Sequence, residues 1–205
     1  MSEELLLFSL LTALMELDTV YAGQFMVSRP VIAGPILGLV AHNMAAGVIL
    51  GLWFELLYAG YVPVGATIPP SGVISAAAAI AAADMFGVPL PAAFLAGLLA
   101  GALFGGLEEW MRRLRSGWNR LIAEQTARDC SVIDLWIVRS LLSQYALGFA
   151  FTLLFCLAAG PAAAAVMRHA PAQLSRALEL GFSVVPWIGM VVLAESLRCR
   201  KGKNG

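Results

Sequence analysis

The side chains best suited to chemistry gather in the first third of the chain. They are the carboxylates Asp18 and Glu55, the amide Gln24, and the hydroxyls Thr67 and Ser71 on a loop that also holds Gly65. Glu55 gives the sharpest signal, because its neighbours are Leu52, Trp53, Phe54, Leu56 and Leu57. A carboxylate in such company must be neutral, paired or turned to a polar cavity, since an unpaired buried charge is costly. As an acceptor it suits a ligand rich in hydroxyls, which it would hold through charge-assisted hydrogen bonds. The competing reading is a structural hydrogen bond to the following loop. Asp18 divides evenly between a functional carboxylate and a residue sitting in the headgroup layer at the end of a span. Arg29, held before Pro30, reads either as an interfacial snorkelling arginine or as a ligand contact.

These residues are carried by an unusual stretch. Residues 28–75 are almost wholly apolar, yet Pro30, Pro35, Gly34, Gly38, Gly47 and Gly51 interrupt them and a PVGATIPPSG segment follows. Backbone broken in this way is tolerated inside a bilayer only where it is buried in protein or lines a polar cavity. Residues 31–40 are short for a span, so a re-entrant segment is expected there. The pairs Gly34/Gly38 and Gly47/Gly51 have the spacing that lets two helices approach closely. In the loop 62–72, Pro63, Pro69 and Pro70 remove N–H donors and Gly65 opens unusual dihedrals, so carbonyls and amides can turn toward a ligand.

The whole chain is far more apolar than a soluble domain. Of its 205 residues 60% are hydrophobic and 13% charged, against roughly 45–50% and about 25% in soluble globular domains. The mean hydropathy is +0.82. This composition implies a single integral membrane domain over residues 1–205, an all-α polytopic helical bundle with broken or re-entrant helices in its first half. Nothing in the charge pattern supports nucleic-acid binding. Cys130, Cys156 and Cys199 are odd in number and widely spaced, so neither a disulfide framework nor a metal site is expected. No cofactor is implied. The opening MSEELLLFSLLTAL lacks a basic n-region and reads as a retained first span.

Along the chain, Ser9, Thr12, Glu16 and Thr19 recur at three- and four-residue spacing, which predicts a polar stripe facing the bundle interior. Asp18 falls on the opposite side. Residues 73–106 read as two small-residue-rich helices broken at the VPLP turn. Residues 108–129 read as a basic helix lying at the membrane surface, with Arg112, Arg113, Arg115, Arg120 and Arg128 marking the cytoplasmic side. Two further spans, 131–160 and 177–197, are expected to form a hairpin around an external turn at 161–176. That arrangement puts the basic tail, with Arg198, Arg200, Lys201 and Lys203, on the same side as the arginine cluster. On the first of these spans Gln144 reads as an interhelical hydrogen-bonding group or as a lining residue, and Arg139 is within pairing reach of Asp134.

The order RP, G–GLV, a Gly-started apolar helix carrying FELLYAG, then VGATIPPSG resembles the membrane subunit IIC of the mannose/fructose/sorbose family of bacterial sugar phosphotransferase systems. Asp18 and Gln24 fit the same pattern. The resemblance is strongest over 18–75 and stays collinear through SLLSQYALG to the last apolar run. It implies a multi-pass protein of the bacterial inner membrane that binds a hexose-like sugar and moves it across the bilayer. It also implies an oligomeric complex with a second membrane subunit, IID, and with the cytoplasmic phosphocarriers IIA and IIB. Phosphoryl transfer would reside on those partners, and no catalytic residue is expected here, since neither histidine has a supporting carboxylate or Gly-rich surroundings. The substrate-binding set implied by the residues and the resemblance together is Asp18, Gln24, Glu55, Gly65, Thr67 and Ser71.

The chain also departs from that pattern. His42-Asn43 stands where Gly-Asp is usual, Pro63 where Asn is frequent and Ser71 where Asp is frequent, and about two further apolar segments commonly follow. These departures motivate an alternative expectation, a degenerate non-transporting subunit acting as a membrane anchor or regulatory module for phosphotransferase proteins.

Overall fold

The computed structural model describes residues 2–19, 23, 25–60, 68–129 and 131–201. Among these residues the chain forms eight helices: α1 (Ser2–Leu17), α2 (Pro30–Val40), α3 (Met44–Tyr58), α4 (Gly72–Asp84), α5 (Leu90–Ser116), α6 (Asn119–Thr126), α7 (Val132–Arg168) and α8 (Ala172–Lys201). Three segments are long and apolar enough to cross a membrane, Leu90–Thr126, Val132–Arg168 and Ala172–Ser196. The helices of the first half are different. With 11, 15 and 13 residues, α2, α3 and α4 reach only about 16–22 Å at ~1.5 Å per residue, short of a hydrocarbon core of ~30 Å.

Of these short helices α4 is enclosed, whereas α2 and α3 each bury one face and leave the other open. From Val73 to Ala82 every residue of α4 is buried, in keeping with a sequence, GVISAAAAIAAAD, that is apolar on all sides. It packs on α1, α2, α3, α5 and α7. α2 and α3 form a hairpin so close that a Cβ added at Gly34 would stand 2.4 Å from the Gly47 carbonyl oxygen, and one at Gly51 would stand 2.3 Å from that of Pro30. Small residues at four-residue spacing are what permit this approach. His42, at φ 60, and the Asn43 side chain, which accepts the Ala46 N–H at 3.1 Å, make the turn between them.

The interior stripe expected on α1 is present. Ser9, Thr12 and Glu16 are 0, 0 and 2% exposed, while Thr19 lies beyond the helix end in the open. A row of rings, Tyr58–Phe54–Phe94–Phe182, the first two pairs stacked and the last edge-on, ties α3 to α5 and α8 with centroid separations of 5.9, 4.7 and 5.6 Å. The break between α4 and α5 falls at the VPLP segment, as expected.

Two expectations for the second half are corrected. Residues 108–129 do not form one helix: the first part continues α5 to Ser116, and Gly117 and Trp118 separate it from α6. Glycine is a poor helix former, and it stands where α5 ends. The first long span likewise does not end before Pro161 but runs to Arg168, so that the turn to α8 is only His169 to Pro171. The alanine run after Pro161 favours helix, and a proline is tolerated in a membrane-embedded helix. Arg139 lies over both Trp118 and Trp136, its guanidinium carbon 5.0 Å from each ring centre and the two rings 5.7 Å apart, and Trp136 Nε1 donates to Gln125 at 2.9 Å. Together these contacts hold α6 against α7.

Candidate functional site

A cleft of about 120 Å³ opens where the N-termini of α2 and α4 meet the C-terminal part of α3. Arg29, Pro30, Glu55, Tyr58, Pro69, Pro70 and Gly72 line it. The Arg29 guanidinium donates to Glu55 Oε1 at 2.9 Å, and the Val31 N–H, in the first turn of α2, is a long 3.5 Å from Glu55 Oε2. The carboxylate thus faces a cation and the positive end of a helix dipole. Arg29 is exposed while Glu55 is mostly covered, so the pair is open on the arginine side. Tyr58, one turn after Glu55, adds a hydroxyl that can donate or accept, and the three prolines with Gly72 supply apolar walls. A carboxylate, a guanidinium and a phenol above an apolar floor can hold a small polyol, with its hydroxyl protons on Glu55, its oxygens on Arg29 and its C–H face on the prolines.

Asp18 does not line the cleft. Its Oδ1 accepts the Phe25 N–H at 2.7 Å and its Oδ2 the Ser28 N–H at 3.2 Å, which fixes the segment leading into Arg29. Positive φ angles at Gly23 (82°) and Met26 (65°) bend this segment around the carboxylate. Ser71 also sits behind the cleft wall rather than in it. Its Oγ donates to Glu16 at 2.8 Å and accepts the Ile74 N–H at 3.2 Å, so it caps α4. Ser75 links this group to the cleft: its Oγ donates to the Ser71 carbonyl at 2.8 Å and lies 3.1 Å from Tyr58 Oη. Gln24, Gly65 and Thr67 lie outside the described residues.

Glu55 is therefore brought together with Pro69, Pro70 and Gly72, whereas Asp18 holds the segment leading into Arg29 and Ser71 caps α4 behind the wall. Tyr58 was not singled out by sequence. Its position three residues after Glu55 on one helix could have found it. Gln144 accepts from Arg115 across the α5–α7 contact, the interhelical reading of that residue.

Comparisons with known proteins agree with this architecture. Over residues 3–201 the chain matches the family described as the PTS system sorbose-specific IIC component. No curated protein sequence matches it. A solved chain described as a membrane protein superposes with a TM-score of 0.80 at 17% identity, covering 96% of this chain and 80% of that one. A chain from the cryo-EM structure of the mannose transporter ManYZ in complex with microcin E492 superposes with a TM-score of 0.67 at 18% identity, covering 97% and 80%. Structural likeness at such identities speaks for a shared fold, and the family match extends over nearly every residue. The chain belongs to the sorbose-specific IIC component family of the sugar phosphotransferase system.

Proposed function

We propose that the chain is the sugar-translocating subunit of a mannose-type phosphotransferase system in a bacterial inner membrane, and that the Arg29–Glu55 cleft is its sugar site. The observation that carries the reading is the ion pair at the junction of three helix ends, in a chain of the IIC family. A hexose-like sugar would replace part of that pair's mutual contact with hydrogen bonds of its own. Glu55 would accept from sugar hydroxyls, Arg29 and Tyr58 would complete the set, and Asp18 and Ser71 would hold the walls. Gln24, Gly65 and Thr67 belong to the adjoining segments and are proposed as further members of the site. Translocation would occur in an oligomeric complex with a IID-type subunit, and phosphate would reach the sugar from IIA and IIB, with no cofactor and no catalytic residue on this chain.

Uptake is the deciding experiment. Cells lacking their own mannose-type system, supplied with this chain and its IIA, IIB and IID partners, should accumulate labelled hexose phosphate, and omission of this chain should abolish it. A complex that assembles with IID yet neither binds nor takes up any sugar in a panel of hexoses would overturn the transport reading and favour a regulatory subunit.

A further inference from the structure

We infer that Glu16 is a positioning residue for the cleft, acting through Ser71 to fix the wall formed by residues 69–72; the inference rests on the reading of the cleft as a sugar site. Glu16 is a carboxylate 2% exposed on α1, a helix that contributes no residue to the cleft lining. Burying it is costly, and packing alone would be served as well by an apolar side chain. Its contact with Ser71 joins residues 55 apart in sequence.

The wall needs such an anchor. Pro69 and Pro70 have no N–H, so within this stretch only Ser71 and Gly72 can donate main-chain hydrogen bonds. The Ser71 N–H donates to the Gly101 carbonyl at 3.3 Å, and its carbonyl accepts from Ser75 Oγ. Its hydroxyl has one proton, which goes to Glu16, while a lone pair takes the Ile74 N–H. Ser71 is thus held from several directions, and Glu16 fixes the rotamer of the side chain that caps α4. From Ser75 the same set of contacts reaches Tyr58 in the cleft. The charged neighbour of Glu16 is Glu108 on α5, 6% exposed and itself engaged by Arg112 at 2.6 Å.

The test uses the intact co-expressed complex with Glu16→Gln, Glu16→Ala, Ser71→Ala and the double variant Glu16→Ala/Ser71→Ala. Glutamine keeps an acceptor oxygen for the Ser71 hydroxyl, so it should leave the sugar half-saturation concentration within about twofold, whereas either alanine should raise it about tenfold, as expected for losing one buried hydrogen bond. The double variant should be no worse than the single ones. A second readout does not need transport: with Cys130, Cys156 and Cys199 replaced by serine, a cysteine introduced by Pro69→Cys is labelled with a water-soluble thiol reagent. Its labelling rate should change severalfold on Glu16→Ala and return with Glu16→Gln. Loss of folded protein in Glu16→Ala, with half-saturation and labelling of the folded fraction unaltered, would overturn the inference, as would additive effects in the double variant. If the unsubstituted complex takes up no sugar, the transport reading fails while the labelling rates still decide the role of Glu16.

Discussion

Arg29 and Glu55 meet at 2.9 Å across 26 residues of sequence, one at the entry to α2 and the other on the last turns of α3. The two residues line the cleft together, with Arg29 on its open side. Arg29 is exposed, so the attraction is worth only about 0–1 kcal/mol by the standard of open ion pairs. A pair this weak can be displaced by a ligand that satisfies both partners, which suits a binding site better than a clamp.

Glu55→Gln keeps the shape of the side chain and removes its charge. If Glu55 contacts sugar directly, affinity should fall by about 1.5–3 kcal/mol, the range for hydrogen bonds to a charged group, with little change in thermal stability. Titration of sugar and thermal unfolding on the same purified complex check this. Unchanged affinity in stable protein would remove Glu55 from the site.

Asp18→Ala should act at one remove. It strips the acceptors from the Phe25 and Ser28 N–H groups, so Arg29 loses its fixed approach to the cleft. Sugar affinity should drop by roughly 1–2 kcal/mol, and the double variant with Arg29→Ala should be no weaker than Arg29→Ala alone. Additive losses would mean that Asp18 touches the ligand itself.

The parts of this architecture that could be read from sequence are the ones with a local cause. Gly87 and the prolines of VPLP stop one helix and start another whatever surrounds them, and the spacing of Ser9, Thr12 and Glu16 fixes a common helical face. Pro161 misled for the opposite reason, because the alanines after it and the membrane setting outweigh a single missing N–H. Partners could not be read at all. Periodicity says that Glu16 points inward but not that it meets Ser71, and the isolation of Glu55 among leucines gives no hint of Arg29. The glycine spacing signals that α2 and α3 can approach closely, but the side-chain pairings come from how the hairpin and α4 sit on one another, which no local signal encodes.

Orientation is a prediction from the last two helices. With only His169 to Pro171 between helices of 37 and 30 residues, each long and apolar enough to cross a membrane, one crossing by each would put the start of α7 and the end of α8 on one side. That side also carries the arginines around Ser116, so reporter fusions at Ser116 and at the C-terminus should both report the cytoplasm. Opposite locations would refute the hairpin.

The α2–α3 contact offers the sharpest test of the fold that supports the cleft. A Cβ at Gly47 would stand 2.3 Å from the Gly34 carbonyl oxygen and 2.8 Å from Gly38 Cα, and both obstacles are backbone, so the hairpin must open to admit it. Gly47→Ala should therefore cost about 1–3 kcal/mol or more, read as a lower thermal midpoint, and should weaken sugar binding because Pro30 and Arg29 ride on α2. Gly106, inside α5, has nothing within 4 Å of the same added carbon. There the gain in helix propensity is unopposed, and Gly106→Ala should stabilise by about 0.5–1 kcal/mol. The two substitutions are chemically identical and differ only in what the methyl group meets. Equal midpoints for the two variants would show that the hairpin does not pack backbone to backbone, and the placement of Arg29 against Glu55 would fall with it.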